Sequence, residues 1–179
     1  MTSYTIRPAR RDELGKIQAI ERAAGQLFLN TPHDWIPGDE GMSLTSLEHW
    51  LVHGKIWVAV DETDEPVGFA VAHEVDGTAY LHELDVDPKH GRQGLGTRLI
   101  AEVTAWAQAC GYGAVTLSTF VAIPWNAPYY QKLGFRILQE VELGPGLREV
   151  RANEIANGFA PDERVCMIRP VSREQTGLQ

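Results

Sequence analysis

The chain has 179 residues, of which 44% are hydrophobic and 22% charged, a balance typical of one soluble domain that buries its own core. Its formal net charge of -8 argues against wholesale nucleic-acid binding, and its 2 cysteines are too few for a disulfide framework. No apolar stretch approaches about 18 residues and the N-terminus has no apolar signal region, so we expect a cytoplasmic protein without a membrane span.

The first quarter of the chain predicts a strand followed by two amphipathic helices. Residues 4–7 form the strand, which Pro8 ends, and Asp12 can cap a helix that continues to residue 24. Residues 27–43 are interpreted as a loop with a short helical turn. Ser43 or Thr45 can cap the second helix, to about residue 53. The predicted inward-facing residues of the two helices are Leu14, Ile17, Ile20 and Ala24, then Leu44, Leu47, Trp50 and Leu51.

The rest of the chain predicts a meander and then a crossover unit. Strands are expected over residues 55–61, 67–74 and 79–86, with Asp76-Gly77 as a hairpin turn. A helix over residues 95–110 and a strand over 114–120 then make a crossover, which pairs that strand parallel to strand 79–86. A helix over 124–133, a strand over 135–143, a helix over 147–157 and a strand over 164–169 complete one domain over residues 1–171. Residues 172–179 are a polar tail.

The helix over residues 95–110 has an apolar stripe that we expect to face the core. Its members are Leu95, Leu99, Val103, Trp106 and Cys110. Cys166 lies in an apolar run, so both cysteines are predicted to be small buried hydrophobic residues.

A loop with glycines at 91, 94 and 96 and basic residues at 89, 92 and 98 separates the strand over 79–86 from that helix. A glycine-rich loop that opens a helix leaves backbone N–H groups without internal partners, at the positive end of the helix dipole. Side chains in place of the glycines would keep a phosphate away from that backbone. An acidic chain that concentrates positive charge on one loop is therefore predicted to bind an anion there. A glycine loop that only eases the start of the helix is the alternative.

Two separated motifs resemble the signatures of the GNAT superfamily of N-acetyltransferases. The loop Gly91-Arg-Gln-Gly-Leu-Gly96 is similar to Gln/Arg-x-x-Gly-x-Gly/Ala, and the run Asn126-Ala-Pro-Tyr-Tyr-Gln-Lys-Leu-Gly-Phe135 is similar to Asn…Tyr-x-x-x-Gly-Phe. The resemblance spans about residues 4–170. It implies an α/β fold with a mixed, mostly antiparallel sheet of about six or seven strands, flanked by helices and containing a splayed pair of parallel strands. Gly91 departs from the pattern, because the family has Gln or Arg there.

The resemblance implies acetyl-CoA as co-substrate, held largely by backbone groups. The strand residues that would pair with the pantetheine arm and polarise the acetyl carbonyl are Leu84, Asp85 and Val86. The loop residues that would hold the pyrophosphate are Gly91, Arg92, Gln93, Gly94, Leu95, Gly96 and Thr97. Asn126 matches the family's CoA-contacting asparagine. Tyr130 matches its tyrosine general acid, which also contacts the cofactor.

Acetyl transfer to an amine also needs a group that removes a proton from the amine. A lysine-like amine has a pKa of about 10.4, so only about one molecule in 10^3 is neutral at pH 7. Histidine has an intrinsic pKa suited to this role. His82 also resembles, in its position, the catalytic histidine of some arylalkylamine acetyltransferases of the family. Glu83 is the second candidate, water is the third, and a structural role remains the alternative for both side chains. His49 and His53 have metal-ligand spacing without a third ligand in view, so no metal is expected.

The acceptor is predicted to be a small-molecule or peptide amine, with no nucleic-acid or membrane partner. Its site is expected among the first helices, the loop over 27–43 and a helical lid over 144–160. Candidate residues are Phe28, His33, Asp34, Trp35, Arg148, Glu149, Arg151 and Glu154. Two alternatives are a catalytically silent acyl-CoA-binding regulator of the same fold and an interaction module whose glycine loop is structural. A homodimer remains open as the assembly.

Overall fold

A computed structural model of the chain describes residues 3–172. Its residues pack into two compact units. The first contains the described chain up to His73 together with Glu83–Glu102, and the second contains Glu74–His82 together with the described chain from Val103 onwards. The predicted polar tail lies outside the described residues from position 173 onwards, and the prediction of one catalytic domain over residues 1–171 stays a prediction.

The described residues contain seven strands in one sheet of order β1-β2-β3-β4-β5-β7-β6. The strands are β1 (Thr5–Pro8), β2 (Lys55–Val60), β3 (Pro66–Val75), β4 (Thr78–Val86), β5 (Ala114–Phe120), β6 (Arg136–Ile137) and β7 (Arg164–Pro170). Strands β4 and β5 are parallel and pair from Ala79 with Val115 to Leu81 with Leu117. The pairs β1–β2, β2–β3, β5–β7 and β6–β7 are antiparallel. This arrangement confirms the predicted fold class.

Five α-helices flank the sheet among the described residues. They are α1 (Leu14–Gly25), α2 (Leu44–His53), α3 (Leu95–Ala109), α4 (Ala127–Lys132) and α5 (Pro145–Ala156). The predicted loop after α1 contains two 3₁₀ turns, Gln26–Phe28 and Ile36–Gly38. No helix in residues 3–172 is long and apolar enough to cross a membrane.

Each unit has its own apolar cluster, and helical periodicity predicted the helix members of the first. In the first unit, α1 and α2 pack against strands β2 and β3. The buried members of this cluster are Leu14, Ile17, Ile20, Leu47, Ile56, Val58, Val60, Phe69 and Val71. In the second unit, the cluster gathers Tyr80, Leu138, Leu143, Leu147 and Cys166. Burying a large aliphatic side chain contributes about 1.5–3 kcal/mol, so these clusters hold the framework that positions the site.

The prediction that Asp12 caps α1 was wrong. A 3₁₀ turn over Arg11–Glu13 precedes α1, and the carboxylate of Glu13 accepts the backbone N–H of Arg10 at 2.7 Å. The Arg7 guanidinium binds the same carboxylate at 2.6 Å. Burial alone would raise the pKa of Glu13, but the contacts with Arg7 and Arg10 together outweigh burial and lower it. The turn is therefore organised by Glu13 rather than by its neighbour. Ser43, by contrast, caps α2 as predicted, accepting the N–H of Ser46 at 3.1 Å.

Three further predictions were wrong at the ends of elements. Leu44 is 50% exposed because it is the first residue of α2 and lies away from the core. Cys110 is exposed because α3 ends at Ala109, whereas Cys166 is buried as predicted. The strand expected over residues 135–143 is only Arg136–Ile137. A 3₁₀ turn replaces its end, because the Glu142 carboxylate accepts the Gln139 N–H and binds Arg136.

Candidate functional site

The glycine loop leads into α3 through two left-handed residues, Arg92 with φ 59° and Gly94 with φ 73°. Before them, a 3₁₀ turn over Pro88–His90 is capped by Asp87, whose carboxylate accepts the Lys89 N–H at 2.9 Å. The first helical hydrogen bond runs from the Arg98 N–H to the Gly94 carbonyl at 3.1 Å. The N–H groups of Leu95, Gly96 and Thr97 therefore belong to the first turn of the helix, where no intrahelical carbonyl is available to them. A Cβ on Gly94 would meet no atom within 4 Å, so the loop is open on that side.

The basic side chains around the loop divide into two groups. His90 is hydrogen-bonded to the Tyr4 hydroxyl at 2.9 Å, and the Arg98 guanidinium donates to the Tyr4 carbonyl at 2.9 Å. These two side chains are thus held against β1. Lys89 and Arg92 are exposed beside the loop, together with Gln93 and Thr97. The local positive charge predicted from the sequence is therefore supplied by three exposed side chains, Lys89, Arg92 and Arg98, of which Arg98 is held at the Tyr4 carbonyl.

The end of β4, which leads into the glycine loop, packs closely against β3. Asp87 donates its N–H to the Val67 carbonyl at 2.8 Å. A Cβ on Gly68 would lie 3.1 Å from the Asp85 carbonyl oxygen, so the absence of a side chain there permits the close approach. Leu84 and Val86 are half-buried on this segment, and the carboxyl group of Asp85 is withdrawn from water. The first unit thus contains both the strand end and the loop.

Three carboxylates of the first unit interact electrostatically around β4. Burial raises the pKa of Asp85 well above its usual range, and the charges of Glu83 and Glu21 raise it further. Burial also raises the pKa of Glu21, although both its oxygens accept the Met42 N–H at 3.1 and 3.0 Å. Glu83 is half-buried, whereas His82, in the second unit, is exposed. The sequence singled out Glu83, but nothing in its pattern pointed to Glu21 as a neighbour of Asp85.

In the second unit, the later motif places Asn126 directly before α4 and Tyr130 on it. Asn126 donates from Nδ2 to the Thr119 hydroxyl at 2.9 Å, and its Oδ1 is buried without a hydrogen-bond partner in the described part of the chain. Tyr130 is 8% exposed, and its ring contacts those of Tyr129 and Phe135 edge-on at centroid distances of 5.4 and 5.6 Å. The Tyr130 N–H donates to the Asn126 carbonyl at 3.0 Å, so one helical turn links the two residues.

Arg169 of β7 supports the end of α4, a role that the sequence analysis missed. Its guanidinium donates to the Leu133 carbonyl at 3.1 Å and to the Thr104 hydroxyl, and it lies 4.8 Å from the Phe135 ring centroid. Burial lowers its pKa. A cation at a helix C-terminus interacts favourably with the helix dipole, so Arg169 fixes the helix that carries Tyr130. The sequence did not indicate this contact because its partners lie far apart along the chain.

Helix α5, the predicted lid, is anchored by residues far away in sequence. The Asp76 carboxylate accepts the N–H groups of Gly146 and Leu147 at 2.8 and 3.0 Å. Near the other end, Glu154 binds Arg151 and Arg164, and all three side chains are less than 20% exposed.

Of the other residues predicted for the acceptor site, Trp35 is 45% exposed and His33 only 6%. The rings of His49 and His53 lie 4.6 Å apart, but residues 3–172 contain no group of three potential metal ligands around them or elsewhere.

Comparison with known proteins gives consistent relatives. A model of the Acetyltransferase (GNAT) family matches residues 24–135, more than half of the chain. The peptidyl-lysine N-acetyltransferase YjaB of Salmonella typhimurium is 27% identical over 139 residues, covering 77% of this chain and 87% of YjaB.

Solved structures of low identity share the fold. The ribosomal-protein-S18-alanine N-acetyltransferase of Escherichia coli is 19% identical with a TM-score of 0.66, covering 99% of both chains. The PaiA N-acetyltransferase of Thermoplasma acidophilum, solved with coenzyme A, is 15% identical with a TM-score of 0.69, covering 94% of this chain and 99% of that one.

Proposed function

The chain belongs to the GNAT family of acetyltransferases, and from this premise we propose that it transfers the acetyl group of acetyl-CoA to a primary amine that attacks the thioester directly. The observation that carries the proposal is the glycine loop. Two left-handed residues lead into α3, and exposed basic side chains flank the loop on a chain whose net charge is -8. An anion such as a pyrophosphate fits the backbone N–H groups at this N-terminus of a helix, where the helix dipole is positive.

The same geometry and the family support the cofactor contacts that we propose. We assign the pyrophosphate to the backbone of residues 91–97 and the pantetheine arm to the backbone of residues 84–86. The buried Oδ1 of Asn126 is a hydrogen-bond acceptor without a donor in the described part of the chain. An amide N–H of the pantetheine arm would supply that donor. Gly91 stands where the family has Gln or Arg, and we propose that the exposed side chains of Arg92 and Gln93 compensate for it.

The proposed chemistry removes two protons from the ammonium form of the acceptor, one before the nitrogen attacks and one as the C–N bond forms; the leaving sulfur gains one proton, so one proton is released to solvent in each turnover. Bound acetyl-CoA supplies the thioester, the amine nitrogen forms the new C–N bond, and the C–S bond breaks. Glu83 is the preferred base because it interacts with Asp85 in the partly buried carboxylate group of β4, while exposed His82 and water are the alternatives. Tyr130 would donate its phenolic proton to the departing thiolate.

The relatives indicate which amines to consider first. YjaB is named for peptidyl lysine and the Escherichia coli enzyme for the alanine of a ribosomal protein, so amines carried on polypeptides are our leading acceptor class. A small-molecule amine remains the second class. We place the whole reaction in a single catalytic domain over residues 1–171.

Titration calorimetry of acetyl-CoA with variants of the glycine loop tests the proposal. Both Asp and Asn tolerate left-handed backbone, so Gly94→Asp and Gly94→Asn differ mainly in charge. We expect Gly94→Asp to weaken acetyl-CoA binding at least about tenfold and Gly94→Asn to weaken it much less, because only a carboxylate repels the pyrophosphate.

Gly111→Asp is the matched control. Gly111 lies two residues after the end of α3 with φ 74°, and a Cβ there also meets no atom within 4 Å. This variant carries the same charge and backbone strain and should bind acetyl-CoA normally. Absence of acetyl-CoA binding by the unmodified protein would refute the enzymatic proposal, and binding without thiol release from any amine would instead favour the silent regulator.

A further inference from the structure

Tyr4, the residue before β1, is bonded to both flanks of the glycine loop. Its hydroxyl is hydrogen-bonded to Nδ1 of His90 at 2.9 Å, and the two rings meet edge-on with their centroids 5.8 Å apart. Its carbonyl accepts a hydrogen bond from the Arg98 guanidinium at 2.9 Å. His90 directly precedes the loop over residues 91–97, and Arg98 directly follows it. A single residue, 86 and 94 positions away in sequence, therefore joins the two ends of the loop.

Tyr4 is itself attached to the central sheet. The next residue, Thr5, begins β1 and pairs with Val60 of β2, and the antiparallel register continues to Pro8 opposite Trp57. Strand β2 is buried along this register, and all of these residues belong to the first unit together with the loop. The two contacts of Tyr4 thus connect the glycine loop to a paired strand rather than to another loop.

The glycine loop has little conformational restraint of its own. Glycines stand at 91, 94 and 96, and a glycine loses more conformational freedom on ordering than any other residue. A Cβ on Gly94 would meet no atom within 4 Å, so the surrounding structure does not confine the loop on that side. Arg92, with φ 59°, adopts a conformation that only glycine reaches without strain. An anion site binds more tightly when its N–H groups are already in position, so an external restraint on this loop favours binding.

We propose that Tyr4 is a positioning residue for acetyl-CoA, which holds residues 91–97 in the arrangement that receives the pyrophosphate. The hydroxyl restrains the start of the loop through His90, and the carbonyl restrains its end through Arg98. Both contacts go to side chains, so neither occupies a backbone N–H group of the loop. The inference rests on the proposed acetyl transfer and adds to it a residue that acts through the loop.

Tyr4→Phe removes the hydroxyl but keeps the ring and the carbonyl that accepts the Arg98 guanidinium. Titration calorimetry should show acetyl-CoA binding weakened about fivefold, the usual effect of one lost hydrogen bond. Steady-state kinetics should show a higher KM for acetyl-CoA with kcat within about twofold of the unmodified enzyme, because the loop holds the cofactor without contacting the reacting atoms.

Tyr112→Phe is the matched control for Tyr4→Phe. Tyr112 is also half-buried, and its ring also meets a neighbour, Trp106, edge-on at a centroid distance of 5.4 Å. It lies in the second unit, after α3, so removal of its hydroxyl should change neither the dissociation constant of acetyl-CoA nor KM.

Variants of His90 separate the hydrogen bond from the packing of the ring. His90→Asn places an amide group near the position of Nδ1 and retains a partner for the Tyr4 hydroxyl, whereas His90→Leu does not. We expect His90→Leu to weaken acetyl-CoA binding about as much as Tyr4→Phe, and His90→Asn to bind nearly as well as the unmodified chain. The double variant of Tyr4→Phe with His90→Leu should bind like either single variant, because both remove the same bond. Additive losses would contradict the inference.

Amide hydrogen exchange of the unliganded protein tests the loop without acetyl-CoA. The backbone N–H groups of His90, Gly91 and Arg98 are hydrogen-bonded at the two ends of the loop, and they should exchange faster in Tyr4→Phe. Failure of the unmodified protein to bind acetyl-CoA would count against the proposed function. Normal binding by the unmodified protein overturns the inference alone if Tyr4→Phe binds equally well, if these amides exchange no faster, or if Tyr112→Phe weakens binding to the same extent.

Discussion

Asp85 shows how one buried carboxyl makes stability depend on pH. Burial and the charges of Glu83 and Glu21 raise its pKa well above the usual value, so the folded chain keeps this proton where the unfolded chain has lost it. Between the unfolded pKa of about 3.9 and the raised folded pKa, folding binds a proton. Stability must therefore fall as pH rises through that range, by up to about 1.4 kcal/mol per pH unit.

Asp85→Asn should remove this loss of stability, because an amide has no proton to lose. Chemical denaturation across the pH range should show a flatter profile for the variant and a higher stability at neutral pH than for the unmodified chain. Asp12→Asn, at an exposed position, should leave the profile unchanged. A profile for Asp85→Asn that parallels the unmodified chain would mean that Asp85 ionises normally.

Tyr130→Phe tests the proposed proton donor at the level of a single oxygen. The phenyl ring preserves the edge contacts with Tyr129 and Phe135, so we expect the dissociation constant of acetyl-CoA to change less than about twofold. Loss of a general acid lowers kcat by about 10²- to 10⁴-fold. Steady-state kinetics and calorimetry separate the two effects.

Tyr129→Phe is the control for Tyr130→Phe, because it removes the hydroxyl of the neighbouring ring. It should leave kcat within about twofold of the unmodified enzyme. Equal loss of acetyl-CoA binding and of kcat in Tyr130→Phe would assign Tyr130 a packing role instead.

At the scale of an element, α5 depends on a cap from a distant hairpin. The helix begins Gly144-Pro-Gly146, and no side chain there can cap it. Asp76, in the β3–β4 turn, supplies both acceptors instead. A Cβ on Gly144 or Gly146 would lie 2.5 or 2.9 Å from Asp76 carboxylate oxygens, so the glycines make room for the cap.

Asp76→Ala should lower the free energy of unfolding by about 0.5–2 kcal/mol, the usual cost of losing a helix cap. Asp76→Asn retains one acceptor oxygen and should lose less. Hydrogen exchange would report the local effect, with faster exchange at the Gly146 and Leu147 amides in Asp76→Ala. Unchanged exchange there would show that the cap contributes nothing.

Elements defined by local pattern were predictable, whereas those defined by distant contacts were not. Both ends of strand β5 were predicted correctly. Its run of β-branched residues begins directly after a glycine, which marks the start of the strand. The length of strand β6 was overestimated because the apolar residues of this segment favour a strand. The Arg136–Glu142 ion pair instead accompanies a turn of the chain. The cap of α5 by Asp76 spans 70 residues, and no local pattern indicates such a contact.

The same division holds for the candidate site across the whole molecule. The glycine loop and the Asn126–Tyr130 turn were found from sequence because each motif is continuous along the chain. The link between Glu21 and Asp85, and the support of α4 by Arg169, join residues more than 30 positions apart. These contacts depend on how the elements pack and not on residue spacing, so the sequence pattern does not predict them.

The net charge of the whole molecule makes acetyl-CoA binding a stringent test of local structure. A chain with charge -8 repels an anionic ligand at long range, so binding must come from the short-range N–H groups and basic side chains of the glycine loop. At about 100 times its dissociation constant, acetyl-CoA should stabilise the fold by about 2.7 kcal/mol.

For a chain of this size, that stabilisation corresponds to a rise in Tm of roughly 5–10 °C. Differential scanning calorimetry should show this rise with acetyl-CoA and little rise with adenosine, which lacks the pyrophosphate. In Gly94→Asp the rise should shrink at the same ligand concentration, while Gly111→Asp should retain it. An equal rise in both variants would place the bound anion away from the loop, because the whole-molecule charge is the same in each.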